Sequence, residues 1–482
     1  MRYHSTRSTS QTVDSAQAVI AGLAPDGGLY MPEQLPSFDA AACLKQDVLG
    51  MATQILTAFL PDIPNMEELV VKAYTGKFTA KDLTPTVPVG PFTVLELFHG
   101  PTSAFKDVAL SMLPQLLTAA RKAKGMHEDL MILTATSGDT GKAALEGFKD
   151  VEGISICVFY PHGGVSKVQR AQMVTQEGTN VSVCAVQGNF DDAQTGVKKI
   201  FAACQGREDV HLSSANSINI GRLAPQITYY FKAYRDLLDR GAIQMGDEVN
   251  FSVPTGNFGD ILAGYLAKAM GLPVGKLICA SNANNVLTDF IRTGTYDRRR
   301  ELLKTQSPSM DILVSSNLER LLYLLSGDTA LVAKLMQQLN EQGVYTVPEA
   351  LLGTIQELFW AGCCDDAGAG RAIQAVWEEH HYLCDPHTAT GWAVSQDYVN
   401  QTGDNRPMVV LSTASAYKFP TAVLEALQAE TACDEFDQML QLSRLTGTAI
   451  PGNLRTLREK PERHTGVIEK EKMLSFVLDR CK

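Results

Sequence analysis

A chain of 482 residues exceeds what one ordinary hydrophobic core supports, so two or three structural units are expected. Hydrophobic residues at 45% and charged residues at 20% are the composition of a folded globular protein. A net charge of −11 argues against a nucleic-acid binder, which needs a basic excess to neutralise phosphates, and disfavours an anionic membrane surface.

The first twelve residues are polar and read as no secretory signal, and no stretch approaches the roughly 20 apolar residues of a membrane span. Residues 1–92 form a mixed N-terminal segment with helices near Leu44–Phe59. From residue 93 the pattern alternates β-rich runs with amphipathic helical stretches. Thr93–Phe98 alternates apolar and polar side chains. A helical stretch follows, with Phe105, Val108, Ala109, Met112, Leu113, Leu116, Leu117 and Ala120 at three-to-four spacing and a kink or break expected at Pro114. Strands are expected at Leu130–Thr136, Ile154–Tyr160, Val181–Val186, Glu248–Val253, Lys276–Ala280 and Met408–Leu411, and a helix at Thr140–Lys149. Strand, helix, strand at this rhythm means an α/β fold with parallel sheets covered on both faces. The expected units are a smaller α/β domain over 93–235, a larger one over 236–430 with a mainly helical insertion near 285–375, and a helical tail over 431–482.

The ten cysteines lie scattered through apolar segments, as in Ile156-Cys157-Val158, which reads as reduced, buried thiols and a cytosolic location. Cys363, Cys364, His380, His381, Cys384 and His387 crowd together, but their spacing fits no usual paired zinc pattern. They are read as core cysteines and surface histidines, with no metal.

Five turns follow expected strands, where ligands bind in open α/β sheets. Val253-Pro254-Thr255-Gly256-Asn257-Phe258-Gly259-Asp260 lets successive N–H groups converge on an anion at a helix start, although a turn of this kind is also commonly structural. Thr134-Ala135-Thr136-Ser137-Gly138-Asp139-Thr140-Gly141 offers either simple helix caps or donors for a carboxylate. In Leu97-Phe98-His99-Gly100-Pro101-Thr102-Ser103-Ala104-Phe105-Lys106-Asp107, Lys106 falls in the first turn of a helix, where a cation opposes the dipole. Burial and the dipole would both lower its pKa, which suits a Schiff-base lysine, while an exposed lysine is the ordinary alternative. Ser214-Ala215-Asn216-Ser217-Ile218-Asn219-Ile220-Gly221-Arg222 leads small donors to an arginine fork that fits a phosphate or carboxylate, or is a capped loop. Val409-Val410-Leu411-Ser412-Thr413-Ala414-Ser415 ends a strand in hydroxyls able to meet a ring nitrogen or to begin a turn.

Taken in order, these segments resemble the threonine synthases, fold-type-II pyridoxal-phosphate enzymes. The likeness runs from Tyr3-His4-Ser5-Thr6-Arg7 to about Pro420. It is carried by LELFHGPTSAFKD at Leu95–Asp107, TATSGDTGKAA at Thr134–Ala144, SANSINIGR at Ser214–Arg222 and VPTGNFGD at Val253–Asp260. SPSMDILVSSNLERLL at Ser307–Leu322 and DPHTATG at Asp385–Gly391 complete it. The resemblance implies that Lys106 anchors pyridoxal 5'-phosphate, that Gly256, Asn257, Phe258, Gly259 and Asp260 cradle its phosphate, and that the Thr413 hydroxyl faces its ring nitrogen. Asp139 lies where the family approaches the ring oxygen. A carboxylate there must be protonated, paired or turned away. Ser137 and Thr140 would hold the substrate carboxylate, and Asn216, Ser217 and Arg222 the substrate phosphate. Where many relatives read T-A-H-P-A-K-F, this chain has Ser415 in place of the histidine.

The implied reaction is conversion of O-phospho-L-homoserine and water to L-threonine and phosphate, a lyase-type last step of threonine biosynthesis, by a monomer or homodimer. The alternatives are a phospho-amino-acid lyase releasing a 2-oxo acid, or a binding protein on the same fold.

Overall fold

The computed structural model describes residues 1–136, 138–204, 206–207 and 209–481. Its centre is a six-stranded sheet in the order Phe359–Cys363, Val274–Ser281, Val249–Pro254, Met408–Ser412, Phe92–Glu96 and Thr86–Val89. The first five strands run parallel, and the last returns antiparallel at the edge. Pro88 sits in that edge strand, where a missing N–H costs no interior hydrogen bond. Leu277 and Cys279 pack into one core cluster while Ile278 and Ala280 pack into another, so both faces are covered. This is why the inner strands are rich in apolar residues on both faces, Met408–Leu411 without interruption.

A second, fully parallel sheet of five strands has the order Val467–Glu469, Val181–Gln187, Ile154–Pro161, Leu130–Ala135 and His211–Ser214. Its faces divide in the same way, Leu130 and Ile132 against Met131 and Leu133. The N-terminal segment adds an antiparallel sheet of Ser8–Asp14, Arg2–Ser5 and Tyr30–Pro32, followed by helices including Val48–Phe59. Arg7 grips Glu319 with two nitrogens, at 2.8 and 2.7 Å, and the Tyr323 hydroxyl lies 2.9 Å from His4 Nε2. The first motif of the chain is thereby fastened to the SNLERLL motif.

The architecture is the expected α/β arrangement of parallel-type sheets flanked by helices, and it refines the sequence reading at four places. Phe92–Glu96 pairs with Met408–Ser412 and so joins the large sheet, and the smaller sheet takes no strand before Leu130. The region 285–375 is mainly helical but also supplies Phe359–Cys363, an edge strand of the large sheet. The tail is not wholly helical: Val467–Glu469 extends the smaller sheet beside Val181–Gln187. Of the kink or break expected at Pro114, the break is absent: the helix Lys106–Ala123 runs through it. Proline removes the donor that would serve the Leu110 carbonyl. Gly147 backs directly onto that oxygen, so close that a Cβ there would stand 2.0 Å from it.

Candidate active site

Phe92–Glu96, Met408–Ser412 and Val249–Pro254 are parallel neighbours, so their carboxyl ends open on one edge of the sheet. The loops leaving the first two are clipped together by backbone bonds. Leu97 N donates to Ser412 O at 2.9 Å, Phe105 N to Thr413 O at 2.8 Å and Ser415 N to Ser103 O at 3.1 Å. Ser103 holds a left-handed φ of 59°, a conformation non-glycine residues seldom adopt. The Asp107 carboxylate folds back to accept from Thr102 N at 2.9 Å and Thr102 Oγ at 2.6 Å. That brace turns the chain so that Lys106 is the first helical residue and points inward rather than to water.

Lys106 is 9% exposed. Its Nζ lies 3.4 Å from Ser309 Oγ, 3.9 Å from Asp139 Oδ2 and 4.5 Å from the centre of the Phe105 ring. Burial pushes its pKa down to about 8, Lys418 and Arg222 add to the fall, and Asp139 and Asp260 partly oppose it. The sequence reading of a desolvated amine at a helix start therefore agrees with the geometry.

The turn Gly256–Asp260 opens the helix Gly259–Ala269, whose N-terminus no side chain caps. Its carbonyls are tied backwards. Ser315 Oγ donates to Gly256 O at 2.7 Å, and the Asn317 N–H and Nδ2 donate to Asn257 O at 3.0 and 3.1 Å. Phe258 has a φ of 63° and buries its ring against Phe359. Gly256 packs so tightly that a Cβ would stand 2.7 Å from Ser309 O. Asp260 turns its side chain away from the turn, Oδ1 accepting from Tyr229 OH at 2.6 Å and Tyr230 OH at 3.0 Å, and burial raises its pKa to about 6. Its other oxygen is buried without a partner. An uncapped helix start beside a buried amine suits an aldehyde that carries an anionic tail.

Beside this turn, Ser217 Cβ lies 3.8 Å from where a Gly259 Cβ would stand. Asn216 and Ser217 are half-buried, and Arg222 follows in the short helix Ile220–Leu223, capped by Asn219. Arg222 is buried. Its Nη1 donates to Ala215 O at 2.5 Å, its Nε has no partner, and no carboxylate pairs with it among the described residues. Burial lowers its pKa to about 10. A guanidinium held this way is poised for an incoming anion.

From the second sheet, Leu130–Ala135 delivers the helix Asp139–Phe148, with Asp139 buried and Thr140 half-buried in its first turn. Ser137 lies outside the described residues. Asp139 resolves the expected choice between protonation and pairing. Its Oδ1 meets Lys418 Nζ at 2.6 Å and accepts from Gln169 Nε2 at 3.1 Å. Burial alone would raise its pKa, but Lys418 and then Lys106 hold it well below the usual carboxylate range.

Several residues here carry no role in the sequence reading. Ser309 Oγ stands between Lys106 and Asp139, 3.4 and 3.5 Å away. Its N–H donates to His387 Nε2 at 3.2 Å, so the ring proton sits on Nδ1, 2.5 Å from Asp385. Arg320, fully buried, donates to Asn317, to Ile218 O and to Tyr30 O, and so joins the two anion-ready segments to the N-terminal sheet. The motifs SPSMDILVSSNLERLL and DPHTATG contain all of these except Lys418. Ser415, in the place of the relatives' histidine, caps the short turn that presents Lys418. Among the described residues no group of three or more His, Cys, Asp or Glu is arranged to hold a metal ion.

Three family models match the chain: threonine synthase N terminus over residues 2–74, pyridoxal-phosphate dependent enzyme over 75–414, and threonine synthase C-terminal over 388–477. Threonine synthase of Pseudomonas aeruginosa is 40% identical over 437 residues, covering 88% of this chain and 90% of that protein. Human threonine synthase-like 1 is 40% identical over 86% of this chain, and the alignment spans only 58% of that longer protein. The crystal structure of PLP-bound threonine synthase from Brucella melitensis superposes with a TM-score of 0.89 at 38% identity, over 100% of both chains. The yeast threonine synthase structure gives 0.88 at 33% identity, over 99% of this chain and 98% of that one.

Proposed function

The chain belongs to the threonine synthase family of pyridoxal-phosphate-dependent enzymes, and on that premise we propose that it converts O-phospho-L-homoserine and water to L-threonine and phosphate. The observation that carries this reading is a buried, unpaired arginine beside a buried amine of lowered pKa. Lys106 would hold the cofactor, the Gly256–Asp260 turn its phosphate, Thr413 its ring nitrogen through a hydroxyl, and Asp139 its ring oxygen as a paired carboxylate. Bound there, pyridoxal phosphate supplies an electron sink for charge developing at the substrate α-carbon.

The chain's own residues do the rest. With its pKa lowered to about 8, far more of Lys106 is free amine near neutral pH than of an ordinary lysine. It is therefore able to take and return protons at the substrate carbons. Arg222, with Asn216 and Ser217 beside it, holds the substrate phosphate and selects substrates that carry one. Thr140, with Ser137, receives the substrate carboxylate at the start of the helix Asp139–Phe148. Burial around Lys106 keeps bulk water from the reacting carbons until phosphate has left.

No helix among the described residues is long and apolar enough to cross a membrane. All ten cysteines are free, six of them buried, which supports a reducing, cytoplasmic setting. We propose that the chain acts as a monomer or a homodimer.

Incubation with O-phospho-L-homoserine tests the reading. Threonine and inorganic phosphate in equal amounts are expected. A 2-oxo acid with ammonia in place of threonine would overturn it.

A further inference from the structure

Lys418 is fully buried, yet it belongs to none of the groups that hold cofactor or substrate in the reading above. It stands in the short turn Ala416–Lys418 after the large-sheet strand Met408–Ser412. Its two partners lie across the site: Asp139 Oδ1 at 2.6 Å, and the Thr102 carbonyl, to which it donates at 3.2 Å. Asp139 is shared. One oxygen takes Lys418 and Gln169, and the other faces Lys106 Nζ at 3.9 Å and Ser309 Oγ at 3.5 Å. Two lysines from different segments thus flank one buried carboxylate at the start of a helix that follows a strand of the smaller sheet.

A buried lysine beside a lone carboxylate has two poor choices. The ammonium is locked by its partner, or the proton moves to the carboxylate and both become neutral. A second cation removes both. It keeps the proton off Asp139, and it repels the proton on Lys106.

We infer that Lys418 is a positioning residue: it fixes Asp139 as a permanently ionised carboxylate aimed at Lys106, so that Lys106 loses and regains its proton while the charge beside it stays constant. This rests on Lys106 being the reacting amine. The remaining charges facing Lys106 are Arg222 and Asp260, of opposite sign, and His387 faces Asp139 from beyond Ser309.

The test uses full-length protein freed of cofactor and pyridoxal phosphate as the probe. The adduct is trapped with borohydride across a pH series and measured at Lys106 by mass spectrometry, with thermal unfolding recorded for each variant. The wild-type midpoint is expected near about 8. Lys418→Met moves it up by about one pH unit, and Lys418→Arg leaves it in place. Asp139→Asn moves it down, because the anion that favours the ammonium is gone. The double variant Asp139→Asn with Lys418→Met lies above Asp139→Asn alone. A merely structural lysine would lower thermal stability without ordering the midpoints this way. A folded Lys418→Met protein that titrates with the wild type overturns the inference. If that variant does not fold, equal midpoints for Asp139→Asn and the double variant overturn it. Label on a lysine other than Lys106 defeats the anchor assignment itself, which is a separate result from an unmoved midpoint.

Discussion

The turn Gly256–Asp260 and the segment Asn216–Arg222 are neighbours, and under the proposed function both receive anions, by opposite means. The first offers the start of an eleven-residue helix and no cationic side chain of its own. Its carbonyls are bonded backwards to Ser315 and Asn317, so its shape is fixed before anything binds. The second offers a buried guanidinium with an unpartnered Nε, a full charge waiting for its counter-ion. Backbone donors in a rigid turn suit a phosphate that stays through every turnover. A buried arginine suits one that arrives, reacts and leaves, because its desolvation is relieved only while an anion is present.

The sharpest way to break this comparison is Arg222→Ala. Losing one charge-assisted hydrogen bond costs about 1.5–3 kcal/mol, a roughly 10- to 150-fold fall in kcat/KM for O-phospho-L-homoserine. Cofactor retention should change far less, and equal loss of both would make Arg222 structural. The converse probe is Gly256→Ala, whose Cβ would press on Ser309 O at 2.7 Å. Overpacking of about 1–3 kcal/mol should weaken cofactor affinity by roughly 5- to 150-fold, with the KM for substrate little changed at saturating cofactor. Equilibrium dialysis with pyridoxal phosphate reads the effect.

A smaller effect separates the regions by stability alone. Removing an unpaired buried charge in Arg222→Met should raise unfolding stability by about 1–2 kcal/mol when no phosphate is present. Inorganic phosphate should raise the melting temperature of the wild type and leave that variant unmoved. Calorimetry with and without phosphate decides it.

The parallel strands were legible because sheets covered on both faces leave runs such as Leu130–Leu133 with no polar interruption. His211–Ser214 and Val467–Glu469 escaped notice because they are short and partly polar, and become strands only by pairing at sheet edges. At Pro114 local chemistry forecasts a kink or a break, and no break occurs where Gly147 packs against Leu110. The turns carrying Lys106 and Gly256–Asp260 could be read in the sequence, since each follows an expected strand, and the Arg222 segment through its own run of small donors ending in an arginine. Ser309, His387 and Lys418 could not. Each acts through a contact with a distant segment, and a lysine in a hydroxyl-rich turn looks like any other until Asp139 is found 2.6 Å away. Asp139 itself stayed ambiguous for the same reason.

In the proposed function both regions serve one amine, so the visible absorption spectrum of purified protein bears most directly on the account. The wild type should show the band of the cofactor joined to a lysine, and Lys106→Ala should lose it while remaining folded. A Lys106→Ala protein with the band intact would place the anchor on another lysine and contradict the site described.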